Sequence, residues 1–170
     1  MDHSSESVNG IIFSPDRTQI LLIKRRDVPV WVLPGGGIEK EETPEVAAKR
    51  EMEEETGLEI SIKRKIAEYR PLCRLARFTH VYEGTVQGGA LKKTDETLSA
   101  KFFPLTALPK HLPPPYSDWI EDAQNFSASL IQKEISSVTY FALVKNLILH
   151  PFLVFRFLLT KIGITFNSNS

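Results

Sequence analysis

The hydrophobic positions of this chain fall into short β-rich runs early on, a polar glutamate-rich stretch in the middle, and long apolar runs at the end. Val8 to Phe13 and Gln19 to Ile23 are two such short runs, separated by the turn-forming cluster Ser14-Pro15-Asp16-Arg17, and this pattern predicts an antiparallel hairpin. Trp31-Val32-Leu33 reads as a third short strand. It is stopped by Pro34 and the three glycines Gly35 to Gly37, a flexible turn whose backbone can approach a ligand closely. Thr43 as N-cap, Pro44 at the first helical position, good helix formers from Glu45 to Glu55 and Gly57 at the C-terminal cap predict a helix with well-marked ends. Leu58 to Ile66, Phe78 to Val86 and Ala100 to Phe103 have β-like composition, with Gly88-Gly89 and the polar Lys92 to Glu96 stretch as connections. Prolines at 104, 109 and 113 to 115 make a stiff surface connection, and Asp118 to Asn125 is predicted to be a helix after it. There is no internal repeat. Strands on both sides of a mid-chain helix, followed by a late helix, favour a mixed sheet packed between helices.

The last segment breaks this pattern. Val138 to Phe166 is far more apolar than a domain of this size requires, with Pro151 dividing two helix-like halves and Gly163 ending the second. Its longest uncharged stretch, Asn146 to Phe155, is interrupted on either side by Lys145 and Arg156, with Lys161 beyond, so it falls short of the roughly 20 apolar residues that cross a membrane. The chain therefore divides into a domain at 1–125 and a hydrophobic helical extension at 126–170. The favoured expectation is that the extension packs on the domain or at a homodimer interface. A peripheral membrane contact with snorkelling basic residues, or a wall for a substrate with a greasy end, is less favoured.

Composition adds limits. In 170 residues, 21 basic side chains balance 21 acidic ones, so no overall field holds the chain on nucleic acid or on an anionic membrane, and a polyanionic ligand must be handled locally. Cys73 is the single cysteine, which excludes an internal disulfide and suits a reducing, cytoplasmic setting; its own plain reading is a small half-buried residue. Met1 to Asn9 carries Asp2 and Glu6 and lacks the basic-then-apolar pattern of an export signal, so a cytoplasmic location is expected.

Chemistry enters with the mid-chain helix. Glu51, Glu53, Glu54 and Glu55 crowd its C-terminal end, beside the negative pole of the helix dipole. At about 100° per residue, Glu51, Glu54 and Glu55 share an arc of roughly 100°. Each like-charged pair one turn apart costs about 0.2–0.5 kcal/mol, and a common direction for three carboxylates points to a compensating cation. All-oxygen ligands select a hard ion such as Mg²⁺ or Mn²⁺ over zinc. The plain alternative is a solvated acidic face. Against it stand the preceding glycines, which can offer carbonyls to a metal or N–H groups to phosphate, and Arg50, placed at i,i+4 to Glu54. The run Gly35-Gly36-Gly37-Ile38-Glu39-Lys40 lacks the spacing and Lys-Ser/Thr ending of a nucleotide-binding P-loop.

Gly36, five residues, Glu42, seven residues and then Arg50-Glu51-Met52-Glu53-Glu54-Glu55-Thr56-Gly57-Leu58 resembles the Nudix box at every specified position, with Met52 and Leu58 as its bulky apolar residues. Leu33-Pro34-Gly35-Gly36-Gly37 resembles that family's approach to the box, and Phe102 to Pro109 its strand-and-turn ending. The resemblance covers about residues 7 to 125. It implies an α/β/α sandwich with a mixed β-sheet and hydrolysis of a small-molecule nucleoside diphosphate linked to another group. It further implies Glu51, Glu54 and Glu55 as metal carboxylates, the carbonyl of Gly35 as a further ligand, and Arg50 as orienting partner for a glutamate. Glu42 holds the loop to the helix in this reading, and Glu96 in a late loop, with Asp95 behind it, is the candidate that completes the site. Glu51, Glu54 or Glu96 takes the proton of the attacking water. The alternative is a regulatory or interaction module that binds a nucleotide without cleaving it, although such modules usually lose box glutamates and this chain keeps them.

Outside the box, Arg25, Arg26, Arg70, Arg74 and Arg77 are candidates for one or two contacts to a phosphate. Trp31 and Tyr69 are candidates for stacking on a base, with core packing the plainer reading. His80 and His111 have no partner cluster in the sequence and are not expected to bind metal or act in catalysis. ADP-ribose, nucleotide sugars, dinucleoside polyphosphates and oxidised nucleoside triphosphates all fit the box equally.

Overall fold

The structure, a computed structural model, describes residues 6–110, 112–125, 129–149 and 151–161. Helix α1 (Pro44–Thr56) has the ends its sequence dictates. Thr43 accepts a hydrogen bond from the Val46 N–H through its side chain, Pro44 opens the first turn, and Gly57 closes the last at φ 79°, a left-handed backbone that glycine adopts without steric cost.

The strands form two sheets. The larger contains β1 (Glu6–Ile12), β4 (Gly35–Gly37), β5 (Leu58–Pro71), β6 (Phe78–Gly89) and β8 (Ile131–Ile135), in the order β4-β1-β6-β5-β8. The smaller contains β2 (Gln19–Arg25), β3 (Trp31–Val32) and β7 (Thr97–Pro104), in the order β3-β2-β7. The larger sheet is mixed: β1 runs parallel to β6 and β5 parallel to β8, while the β5–β6 and β1–β4 pairs are antiparallel.

The expected hairpin forms only its turn. Ser14 and Asp16 bond the backbone and hydroxyl groups around Thr18 and Gln19, and one bridge joins Phe13 to Ile20, after which the two strands enter different sheets. The physical reason is that both edges of β1 are already taken, one by β6 and the other by β4, leaving β2 to pair with β3 and β7. The glycines also depart from expectation. They form the edge strand β4 on β1, with six residues between them and α1, and are not a turn abutting the helix.

Alternation of side chains across β1 builds the layers. Val8 and Ile12 face α1 with Ala47, Ala48 and Met52, while Ile11 faces α2 (Tyr116–Gln124) with Trp119, Ile120 and Ala123. Helices thus cover opposite faces of the strands, an α/β/α sandwich. Met52 lies so close to β1 and β6 that a Cβ on Gly10 would sit 2.3 Å from its Sδ and one on Gly84 2.9 Å away, so those strand positions hold glycine for lack of space.

The last elements are α3 (Tyr140–Leu149) and α4 (Pro151–Lys161), split at Pro151 as predicted; Gly163 lies outside the described residues. Strand β8 was not expected. It extends the larger sheet to Ile135, inside the segment that the sequence assigns to the extension. The tertiary contacts of α3 and α4 run chiefly to each other.

Candidate active site

Strand β4 and helix α1 meet through the backbone of Gly35, whose N–H donates to Glu55 Oε2 at 2.7 Å. Glu55 is buried, and burial pushes its carboxyl up to about 8, a shift the Gly35 bond opposes and the neighbouring Glu51 reinforces. Glu51 is likewise held above the usual carboxylate range by burial, against the pull of Arg50. Next to it, a Cβ on Gly36 would fall 2.4 Å from Glu51 Oε1; the glycine leaves the room that this carboxylate fills.

Arg50 gathers the surrounding acids. It donates from Nε and Nη2 to the two oxygens of Glu42 at 2.9 Å each, from Nη1 to Glu51 at 3.0 Å and to Glu54 at 3.2 Å, and from Nη2 to the carbonyl of Gly37 at 3.2 Å. Glu42 also accepts from the Glu39 N–H at 3.1 Å, and its bond to Arg50 holds its carboxyl below the usual range. Arginine and Glu42 therefore brace the loop 38–43 against the helix. Glu53 points elsewhere, accepting from the Ile60 N–H at 2.9 Å on β5.

The late loop comes to the same place. Arg50, Glu51, Glu54, Glu55, Asp95 and Glu96 line one cleft of about 390 Å³. The loop is tied there by Arg26, whose side chain donates to the carbonyls of Asp95 (3.0 Å) and Thr94 (3.1 Å) and whose N–H donates to the carbonyl of Glu96 (2.9 Å). Arg26, a phosphate candidate in the sequence, thus works on the loop. Among the described residues no three His, Cys, Asp or Glu side chains by themselves form a cage for an ion. Glu51 and Glu54 are engaged with Arg50 instead.

On the other side of β4 lies a second cleft, of about 550 Å³, between the glycine strand and the proline segment 113–115. Its polar lining includes Asn9, Arg25, Asp27 and Arg77, and apolar walls come from Val28, Ala76, Tyr116 and Val138. Arg25 is bound to Asp27 through two bonds of 2.8 and 2.5 Å. Asn9 went unremarked in the sequence, where nothing distinguishes it. It is only 8% exposed, and its Oδ1 is buried with no hydrogen-bond partner. Arg70 and Arg74 are exposed and line neither cleft.

The chain belongs to the Nudix family. The NUDIX domain model matches residues 4–123, the stretch that contains the glycine strand and the carboxylate helix. Among curated relatives, a putative 8-oxo-dGTP diphosphatase from Bacillus subtilis is 38% identical over 117 residues, covering 68% of this chain and 77% of that protein. An ADP-ribose pyrophosphatase from Methanocaldococcus jannaschii is 40% identical over 114 residues, covering 64% of this chain and 66% of that protein. Among solved structures, a NUDIX hydrolase from Nitrosomonas europaea superposes with a TM-score of 0.65 at 19% identity, covering 79% of this chain and 80% of that one, a likeness of fold. Nudix hydrolases cleave pyrophosphate bonds and generally use divalent metal ions.

The remaining sequence candidates find structural work in this Nudix fold. Trp31 packs edge-on against Phe103 with ring centroids 4.7 Å apart, and buried Tyr69 stacks on Trp119 and donates to Asp122 at 2.8 Å. His80 does have partners, against the sequence expectation: its Nε2 lies 2.7 Å from Glu6 and its Nδ1 3.7 Å from Glu68, acids that β1 and β5 bring to it across the sheet. Cys73 is half-buried and donates to the carbonyl of Val138 at 3.4 Å; His111 lies outside the described residues.

Proposed function

We propose that this Nudix protein hydrolyses the diphosphate linkage of a small nucleoside diphosphate derivative, with Glu51, Glu54, Glu55 and Glu96 holding Mg²⁺ or Mn²⁺ in the 390 Å³ cleft and the Gly35 carbonyl as a further ligand. The observation that carries this reading is the buried, poorly compensated carboxyl of Glu55 beside Glu51, in a pocket whose donors are all oxygen. Such a donor set fits a hard divalent cation and fits zinc poorly. When bound, the cation neutralises diphosphate oxygens and lowers the pKa of a water.

The chain's own residues do the rest. Gly35 N–H fixes the Glu55 carboxylate, and Arg50, itself anchored by Glu42, sets the direction of Glu51 and Glu54. Glu51 and Glu54, now bonded to Arg50, would turn oxygens to a cation held in the cleft. The proton of the attacking water passes to a carboxylate oxygen of Glu51, Glu54 or Glu96. We assign the nucleoside part to the 550 Å³ cleft along β4, where Arg77 supplies a positive charge. A single free cysteine and the absence, among the described residues, of a helix able to cross a membrane are compatible with the cytoplasm, where we place the reaction.

The test is a screen over ADP-ribose, nucleotide sugars, dinucleoside polyphosphates and oxidised nucleoside triphosphates that reads the nucleotide products by anion-exchange chromatography, with Mg²⁺ and Mn²⁺ compared and chelator as blank. Turnover of at least one class, abolished by chelator, is expected. Tight binding of a nucleotide with no turnover of any substrate would replace the reading with a regulatory module.

A further inference from the structure

We propose that α3 and α4 dock the protein on the surface of an anionic lipid bilayer. The sequences of both helices are predominantly apolar, and their tertiary contacts run chiefly to each other, which leaves apolar side chains that an isolated helix pair in water does not cover. Large side chains stand in solvent: Phe141 is 80% exposed, Ile148 76%, Phe155 59% and Tyr140 58%. Apolar surface of this extent marks an interaction site.

Charge and length identify the occupant. From Ile135 to Ser170 the sequence has three formal charges, Lys145, Arg156 and Lys161, and no aspartate or glutamate. A second copy of the chain seated on this face would bring like charges together with no acid to pair them, whereas an anionic headgroup layer pairs each. With 10 and 11 residues, the helices are about 15 and 17 Å long at 1.5 Å per residue, half the hydrocarbon thickness of about 30 Å. They lie in the interface and do not span it. The attachment is firm at its start, where Val138 packs on the core around Trp119, accepts from Cys73 and lines the 550 Å³ cleft, two residues before α3 begins.

Flotation of the full chain with vesicles tests this, because aggregated protein sinks. We expect flotation with phosphatidylcholine–phosphatidylserine vesicles, little with phosphatidylcholine alone, and a decline with added salt. Replacing all three charges (K145Q, R156Q, K161Q) lowers partitioning by about a hundredfold, at about fivefold per basic residue near the surface. Phe141→Asp with Phe155→Asp abolishes flotation while leaving thermal stability unchanged. No flotation on either vesicle, equal flotation on both, or a dimer in light scattering that the Phe141 and Phe155 changes dissolve in a protein that never floats would each overturn the proposal.

Discussion

Two buried glutamates, Glu83 on β6 and Glu55 on α1, show how differently one fold treats the same side chain. Glu83 is surrounded: Arg17 binds one oxygen, Lys63 reaches it at 2.9 Å, and Arg64 holds the other at 2.9 Å. Burial raises its carboxyl, yet these three cations prevail and keep it below the usual range. Glu55 has a backbone N–H, distant Arg25 and two acidic neighbours, and burial carries it up to about 8. The first carboxylate is paired by the chain's own cations; the second has no cation bonded to it among the described residues, which is why we propose it as a metal ligand. That difference separates a structural ion pair from a site, and both sit in the same domain.

The comparison can be broken most sharply at Glu55. Glu55→Gln is expected to lower hydrolysis by about three orders of magnitude while leaving metal-free thermal stability near the wild-type value at neutral pH, since a neutral amide replaces a carboxyl that burial keeps largely protonated. A large loss of stability would instead place Glu55 with Glu83. Gly36→Ala comes next: the added Cβ meets the end of a mobile side chain, Glu51 Oε1, so the fold tolerates it while the carboxylate is displaced, and turnover falls by about a hundredfold. Glu83→Gln reverses the pattern, costing about 2–3 kcal/mol of stability by leaving cations unpaired while activity per folded molecule holds, as denaturant melts paired with active-site titration would reveal.

The pH dependence sharpens the contrast further. A carboxyl raised in the fold binds its proton more tightly folded than unfolded, so the contribution of Glu55 to metal-free stability is greatest below its ordinary value of 4.5 and is lost as pH rises toward about 8. Glu83, depressed in the fold, stabilises above the ordinary carboxylate range and loses that contribution as pH falls through its lowered value. Melting curves across pH for wild type, Glu55→Gln and Glu83→Gln separate the two slopes.

Helix α1 was legible in the sequence because its signals are local: Thr43, Pro44 and Gly57 each act within one turn. Its carboxylate face was legible for the same reason, since helical period alone groups Glu51, Glu54 and Glu55. Partner choice was not local. The turn at Ser14 to Thr18 was readable, but the separation of β1 from β2 depends on β6, whose partner residues lie 72 positions further along the chain. Strand β8 was hidden by Gln132, Lys133 and Glu134, polar residues exposed on a sheet edge. Glu96 was placed by resemblance, and the reason it reaches the cleft, the grip of Arg26 on the backbone of residues 94–96, carries no sequence signal. Asn9 was invisible because only burial on β1 leaves its Oδ1 without a partner.

Calorimetric titration of the metal-free full chain with Mn²⁺ tests the central claim most directly, run in two buffers of different ionisation enthalpy near pH 7. The account predicts saturable binding with proton release, both lost in Glu55→Gln and retained in Glu83→Gln. Binding unchanged by Glu55→Gln, or no binding to the wild-type chain, would contradict it.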